Sequence, residues 1–365
     1  MSGGVDSSVT AALLKDQGYD VVGLTMKLFD KELIPDVFSS ERGCCNIDAI
    51  GRARSVCHLL GIPHYPLDFA EDFFNFIVED FIDEYLSGRT PNPCIRCNSY
   101  LKWGKLFDKA KMLGCDKIAT GHYARIAEDS GSFKLLRANS RYKDQSYALW
   151  GIPRDRLADT LLPLGTYSKT QVRKVASRLK LKSAETPESQ EICFVPDGHY
   201  VDFLKEQKPQ FFADLGSGEL VCEGDEGLQK LGEHPGFPHY TVGQRKGLGG
   251  GFPDPRYVIR IEPESNRVVI GAKEKLYART FHVDQVNWLI PVPAGEVEAD
   301  VQIRYRSGAF PAVISPLKDS DNEDKRWKVE FTEPVEAITP GQSAVFYFND
   351  ERLIGGGRIR EVLPL

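Results

Sequence analysis

Seven residues near the start of the chain, Ser2-Gly3-Gly4-Val5-Asp6-Ser7-Ser8, place two glycines, one carboxylate and several hydroxyls directly ahead of a helical pattern. Glycines let the backbone turn tightly, and loop amides together with a helix N-terminus present a concentrated set of donors to an anion. Ser7 and Ser8 add hydroxyl donors, and Asp6 is suited to hold Mg²⁺ on bound phosphates, directly or through water. No Gly-Lys-Ser/Thr follows, so the loop is not a Walker A motif. A glycine-rich turn capped by serine is the bland reading of the same string.

A second constellation is built on sulfur. Thr90-Pro91-Asn92-Pro93-Cys94-Ile95-Arg96-Cys97-Asn98 packs two prolines and two thiols into nine residues, and Cys193 follows in Glu191-Ile192-Cys193-Phe194. Proline fixes φ, which predicts a rigid presenting loop here and not a helix interior. One thiol can carry a terminal sulfur as a persulfide while another releases it by exchange. Two thiols separated by two residues are equally half of a zinc or iron–sulfur site. Cys44, Cys45, Cys57, Cys115 and Cys222 read mainly as small buried apolar residues.

These groups need elements to hold them. The first 200 residues alternate helical and strand patterns, an α/β signature. Helices are expected at Ser7 to Gln17, Ile47 to Leu60 and Glu71 to Leu86, and strands at Val21 to Met26, Pro63 to Leu67 and Lys117 to Thr120. Beyond about Pro196 the texture becomes Gly, Pro and short β runs: Arg256 to Ile261, Arg267 to Ile270, Glu296 to Ile303, Ala312 to Ile314, Arg326 to Phe331 and Ser343 to Phe348. The charged stretch from Asp319 to Lys325 reads as a loop. The expected division is 1–196, 197–277 and 278–365.

The chain has 365 residues and 41% apolar content, enough for two or three separate cores. Its net charge of −6 excludes a protein that simply coats nucleic acid, while leaving room for local basic patches such as Lys169 to Lys182. Eight cysteines are too few for a disulfide scaffold. No apolar run is long enough to span a membrane and no signal pattern opens the chain, so the expected setting is cytoplasmic or an organelle matrix. The six histidines outside the motifs, among them His58 and His282, show no metal-ligand spacing.

The opening loop resembles the pyrophosphate loop of N-type ATP pyrophosphatases, which adenylate a carbonyl oxygen. In order, SGGVDSS, TPNPCIRCN, TGHYAR (Thr120 to Arg125), KDQSYAL (Lys143 to Leu149), EICF, TVGQRKGLGGG (Thr241 to Gly251), RYR (Arg304 to Arg306) and TPGQSAVFY (Thr339 to Tyr347) resemble the tRNA-specific 2-thiouridylases of bacteria and organelles over essentially the whole chain. The resemblance implies an α/β pyrophosphate-loop domain with a parallel sheet, a small central β domain and a C-terminal, tRNA-binding β-barrel. It implies an ATP site at Gly3, Gly4, Val5, Asp6, Ser7, Ser8, Met26 and Gly121, with Mg²⁺. It places His122, Lys143, Asp144, Gln145, Arg304, Tyr305 and Gln342 against tRNA, and Asn92, Pro93 and Cys94 around the target base.

The same resemblance gives Cys193 the persulfide and Cys97 the resolving role, leaving a Cys97–Cys193 disulfide. It implies the tRNAs for Lys, Glu and Gln as substrates and a separate sulfur-donor protein. Many members carry Asp where this chain has Cys94, so a platform of Cys94, Cys97 and Cys193 for an iron–sulfur cluster is a second expectation. A buried strand precedes the loop in that family, whereas here the loop follows Met1 at once. The expectation is therefore a first domain lacking its first strand, through a late-assigned start or a shortened chain. Its alternative consequence is a tRNA-binding protein without catalysis.

Overall fold

The computed structural model describes residues 1–30, 47–181, 192–195, 198–224, 227–249, 251–317 and 326–365. Cys44, Cys45, Lys182, Glu191 and the charged loop from Asp319 to Asp324 lie outside the described residues. The chain divides into two compact units: Met1–Glu79, Pro93–His199 and Glu351–Leu353 form the first, and Asp80–Asn92, Tyr200–Asp350 and Ile354–Leu365 the second.

The first unit is α/β. Helix α1 (Val5–Asp16) is followed by β1 (Gly23–Lys27), α2 (Ile47–Leu60) and β2 (His64–Asp68), and β1 pairs with β2 in parallel. Leu24 O accepts from the Met1 ammonium beside this pair. Further along come α3 (Ala70–Phe73), the π turn Phe74–Val78 and α4 (Glu79–Leu86), whose residues from Asp80 onward count with the second unit, so the expected amphipathic helix is present but carries a wider turn at its centre. After α5 (Pro93–Arg96), the π-helix Cys97–Leu106 and α6 (Phe107–Met112), strand β3 (Ile118–Ala119) runs parallel to β6 (Thr160–Leu161). Between these two in the chain lie β4 (Ala124–Asp129) and β5 (Ser132–Arg137), an antiparallel hairpin whose second strand, β5, also pairs with residues 352 and 353.

Apolar residues four apart decide the packing of this unit. Val5, Val9 and Leu13 of α1 and Val172 and Ala176 of α7 (Lys169–Arg178) meet in one buried cluster with Tyr123 and Leu164. Helix α7 starts sharply because Ser168 and Gln171 form a reciprocal capping box. That start fixes where Lys169 emerges.

In the second unit, α8 (Tyr200–Gln207) and α9 (Pro209–Leu215) lead into a four-stranded sheet. Its strands are β7 (Gly218–Gly224), β8 (Gly227–His234), β9 (Tyr257–Glu262) and β10 (Arg267–Gly271), in the order β8-β7-β10-β9. Six longer strands follow: β11 (Tyr277–Trp288), β12 (Val297–Gln302), β13 (Phe310–Pro316), β14 (Trp327–Glu336), β15 (Ser343–Phe348) and β16 (Arg352–Leu363). They run β11-β14-β13-β12-β15-β16, and β16 pairs back onto β11, which closes a barrel and removes its edges. Alternation fills it: Trp327, Val329 and Phe331 of β14 point inward while Lys328 and Glu330 point out, and Trp288 packs edge-on against Trp327 at 4.9 Å.

Candidate functional site: a glycine loop and a cysteine helix

The loop at the start of α1 is held open by its surroundings. Gly3 has φ +68, and a Cβ there would stand 2.6 Å from Ala49 O, so only glycine fits. Gly121 approaches from the β3 end, where a Cβ would lie about 3 Å from the Asp6 and Ser7 backbone. Gly4 caps α1 with no side-chain hydrogen bond, leaving the amides of the first turn available to an anion. The Ser7 and Ser8 hydroxyls both donate to Gly4 O, and Ser7 Oγ also accepts from Ser2 N. Val5 and Met26 are buried, Val5 against α7 and Met26 at the C-terminal part of β1.

Two residues that sequence reasoning did not place in the site complete it. Lys169 Nζ lies 2.9 and 2.8 Å from the two Asp6 carboxylate oxygens, and Tyr123 Oη donates to Asp6 Oδ1 at 2.8 Å. Lys169 stood only as a member of the basic stretch, although its place just after the Ser168 cap was a signal that it opens a helix. Tyr123 lay inside the quoted TGHYAR string, with nothing in its type to single it out. A nearly buried ammonium and open amides fit the phosphates of a nucleotide, and the carboxylate fits Mg²⁺ carried on them.

His122 sits beside this loop and bonds Thr120 Oγ1 through Nδ1 at 2.8 Å. Burial, and secondarily the Lys102 charge, hold its pKa well below the ordinary histidine value, so the ring is neutral at physiological pH. Of the other residues expected to meet tRNA, Asp144 is occupied internally: Arg137 donates to it at 2.9 Å and Ser146 Oγ at 2.7 Å. Gln145 exchanges two hydrogen bonds with the Tyr123 backbone. Lys143 projects over the exposed Tyr142 ring. In the second unit, Arg304 is exposed and donates to Glu336 O, and Tyr305 is exposed with the Arg306 guanidinium over its ring. Gln342 Nε2 donates to Thr90 O at 2.8 Å.

The cysteine segment departs from expectation. Cys94 lies within α5 and Cys97 opens the π-helix, so the predicted rigid loop is helical from Pro93 onward. The reason is positional: proline is compatible with the first residue of a helix, where its missing N–H costs nothing, and no helix breaker follows before Gly104. Asn98, 3% exposed, pins this helix by donating to Ala148 O at 2.8 Å while accepting from Lys102 Nζ at 2.8 Å. Cys94 is exposed, whereas Cys97 and Cys193 are half-buried. Cys193 precedes Phe194, whose ring packs edge-on against Phe73 at 5.6 Å. Phe73 ends α3, and α5 packs against the π turn that follows, so one helical run supports both cysteine segments.

Among the described residues no three His, Cys, Asp or Glu side chains gather round a point that could hold a metal ion. Cys94, Cys97 and Cys193 are all described, so the three-thiol platform for an iron–sulfur cluster is not assembled in this structure. Of the remaining cysteines, Cys57 is fully buried and burial pushes its thiol pKa up, as befits a packing residue. Cys115 and Cys222 are only half-buried, because each sits at an element end or on a sheet face that solvent reaches.

Comparison with known proteins bears on every part of this arrangement. Family profiles described as "tRNA methyl transferase HUP domain", "tRNA methyl transferase PRC-barrel domain" and "Aminomethyltransferase beta-barrel domain" match residues 1–197, 220–272 and 278–359. A curated protein of Carboxydothermus hydrogenoformans, "tRNA-specific 2-thiouridylase MnmA", is 48% identical over 100% of this chain and 97% of its own length. Proteins of the same name from Geotalea uraniireducens and Heliobacterium modesticaldum are 44% and 46% identical over 100% of this chain, covering 94% and 92% of theirs. The parallel strand pairs, the central sheet and the closed barrel are the HUP, PRC-barrel and β-barrel parts in that order.

Proposed function

Because the chain belongs to the tRNA-specific 2-thiouridylase family, we propose that it is a tRNA-uridine 2-sulfurtransferase, which adenylates O2 of the wobble uridine with ATP and replaces that oxygen by sulfur. The observation that carries this reading is the open amide loop at the start of α1, with Asp6 beside it, in the same unit as the helix-borne Cys97 and the Phe194-anchored Cys193. Their shared unit supports a reading in which pyrophosphate chemistry and sulfur chemistry are housed together.

In this reading the uridine O2 attacks the α-phosphorus of ATP and pyrophosphate leaves. The loop amides would hold the triphosphate, Asp6 would hold the Mg²⁺ that neutralises it, and Lys169 would balance the remaining charge. Cys193 receives a terminal sulfur from a donor protein's persulfide. That sulfur attacks C2, and AMP departs with the former O2. Cys97 thiolate then attacks Cys193 Sγ, the S–S bond breaks, and its electron pair stays on the sulfur attached to C2. The products are 2-thiouridine and a Cys97–Cys193 disulfide, which a dithiol reductant returns to two thiols. Holding the components in one site converts a multi-body encounter into local steps.

Asn92, Pro93 and Cys94 frame the base in this reading, and His122, Lys143, Arg304 and Tyr305 face tRNA, those for Lys, Glu and Gln being the expected substrates. The setting is the cytoplasm, in keeping with the absence, among the described residues, of a helix long and apolar enough to cross a membrane.

The test incubates the protein with tRNA, Mg²⁺-ATP and a persulfide donor and analyses the digested tRNA by mass. Thiolation that is lost in Cys97→Ser and Cys193→Ser, with pyrophosphate release retained, supports the scheme. Tight tRNA binding without pyrophosphate release or thiolation would instead establish the non-catalytic binding protein.

A further inference from the structure

The resemblance assigns Gln342 to tRNA, yet its carboxamide is engaged elsewhere. Gln342 Nε2 donates to Thr90 O at 2.8 Å and to Pro91 O at 3.3 Å. Pro340 O accepts from Thr90 N at 2.9 Å, and Thr90 Oγ1 donates to Thr241 Oγ1 at 3.2 Å. Gly341, at φ +91, lies so close that a Cβ would stand 2.7 Å from Thr90 N and 2.9 Å from Thr90 C and O. The loop making these contacts is itself fixed to β16, since Gly341 N donates to Ile359 O and Ile359 N to Gln342 O, both at 2.8 Å.

The segment so held is anchored upstream as well. Arg358, the neighbour of Ile359, makes a two-pronged pair with Asp80 at 3.0 and 2.7 Å. Residues 80–92 thus form a strap bound to β16 and the 339–343 loop, all within the second unit. The strap ends at Asn92, and the next residues in the chain are Pro93 and Cys94.

We propose that Gln342 is a positioning residue: with Gly341 it clamps the Thr90–Pro91 backbone and so sets, through the chain, where the Pro93–Cys97 turn presents its thiols. The proposal rests on the functional reading above for the role of those thiols. The clamp uses main-chain carbonyls of a proline-bounded segment, which cannot relax by side-chain rotation. Losing it leaves two carbonyls to find other partners and lets a reacting group drift, a displacement that costs rate far more than affinity.

The experiment compares wild type with Gln342→Glu, which keeps the shape but loses the donor, and Gln342→Ala. Three quantities are read: the Kd for tRNA, the single-turnover thiolation rate at saturating tRNA, and the alkylation rate of Cys94 by iodoacetamide without tRNA or ATP, located by peptide mass. The clamp requires a Kd within about twofold of wild type, a saturating rate down by about tenfold, and Cys94 alkylation changed by about threefold or more in both variants. A weakened Kd, with the rate restored by excess tRNA and alkylation unchanged, makes Gln342 a tRNA contact and overturns the proposal. If wild type yields no 2-thiouridine the functional reading falls, and the alkylation arm still decides the clamp. Should either variant melt early, Gly341→Ala supplies the third arm, and unchanged Cys94 alkylation in that variant also overturns it.

Discussion

The pairing of Asp6 with Lys169 sets the electrostatics of the glycine loop. An ammonium within 3 Å of both carboxylate oxygens cancels a charge that would otherwise repel phosphates. Under the proposed function, Mg²⁺ carried on ATP would share that cancellation at Asp6 and leave Lys169 to face the phosphates. Lys169→Ala is therefore expected to weaken nucleotide binding by about tenfold with Mg²⁺ and by more without it, a loss on the order of one charge-assisted hydrogen bond or greater. Titration of a fluorescent ATP analogue with and without Mg²⁺ checks this; equal affinities for wild type and variant would refute it. His122 obeys the opposite logic. Its folded pKa lies below the unfolded value of about 6.5, so the unfolded chain binds the extra proton more readily. The native state accordingly loses stability through this group as pH falls below about 6.5, and the His122 ring should show no NMR titration between pH 6 and 8.

At the scale of elements, Asn98 couples the cysteine helix to the 146–149 segment through one hydrogen bond, donated by its buried amide to Ala148 O, while its carbonyl accepts a second from Lys102 on the same helix. Asn98→Ala leaves Ala148 O unpaired and frees Lys102, at an expected cost of about 1–3 kcal/mol by urea unfolding. Thiolation should fall further than nucleotide binding, because the glycine loop does not depend on this helix. Equal losses in both would argue against separate supports. The same elements show what could be read from sequence. Ile47–Leu60 and Ser343–Phe348 stand where their periodicity put them, and the glycine loop announced itself by composition. The helical state of Cys94 and Cys97 was hidden because proline signals a breaker in most contexts and is tolerated only at a helix start. The π turn at Phe74–Val78 was hidden because a single added residue barely disturbs an amphipathic pattern. Lys169 beside Asp6 is 163 positions away in sequence, and no local rule connects them.

Over the whole molecule, the change of texture near Pro196 precedes two helices before β structure begins at Gly218, and it does not show which residues the β unit owns. Residues 80–92 arise within the α/β stretch and yet belong with the barrel, held by charges that sequence could not pair: Glu84 with Arg89, Arg358 and Arg360, and Asp80 with Arg358. Glu84 is 4% exposed. Burial alone would raise its pKa, but the Arg89 hydrogen bond and the Arg358 and Arg360 charges outweigh it and leave the carboxyl below its ordinary value of 4.5. A depressed folded pKa stabilises the native state above the unfolded value and loses that contribution as pH falls through the folded one. Acidification below about pH 4.5 should thus release the strap. In hydrogen exchange, amides of residues 80–92 and 358–360 should lose protection at pH 4 relative to pH 7 after correction for intrinsic rates, before those of the barrel core around Phe331 and Phe346. Glu84→Ala should reproduce this at neutral pH and cost about 3–5 kcal/mol, since three arginines are left facing no carboxylate at that position. Glu84→Gln, which keeps the volume, separates lost charge from lost packing: a cost close to that of Glu84→Ala assigns the strap to electrostatics, whereas near-wild-type stability and protection would show that packing alone retains it.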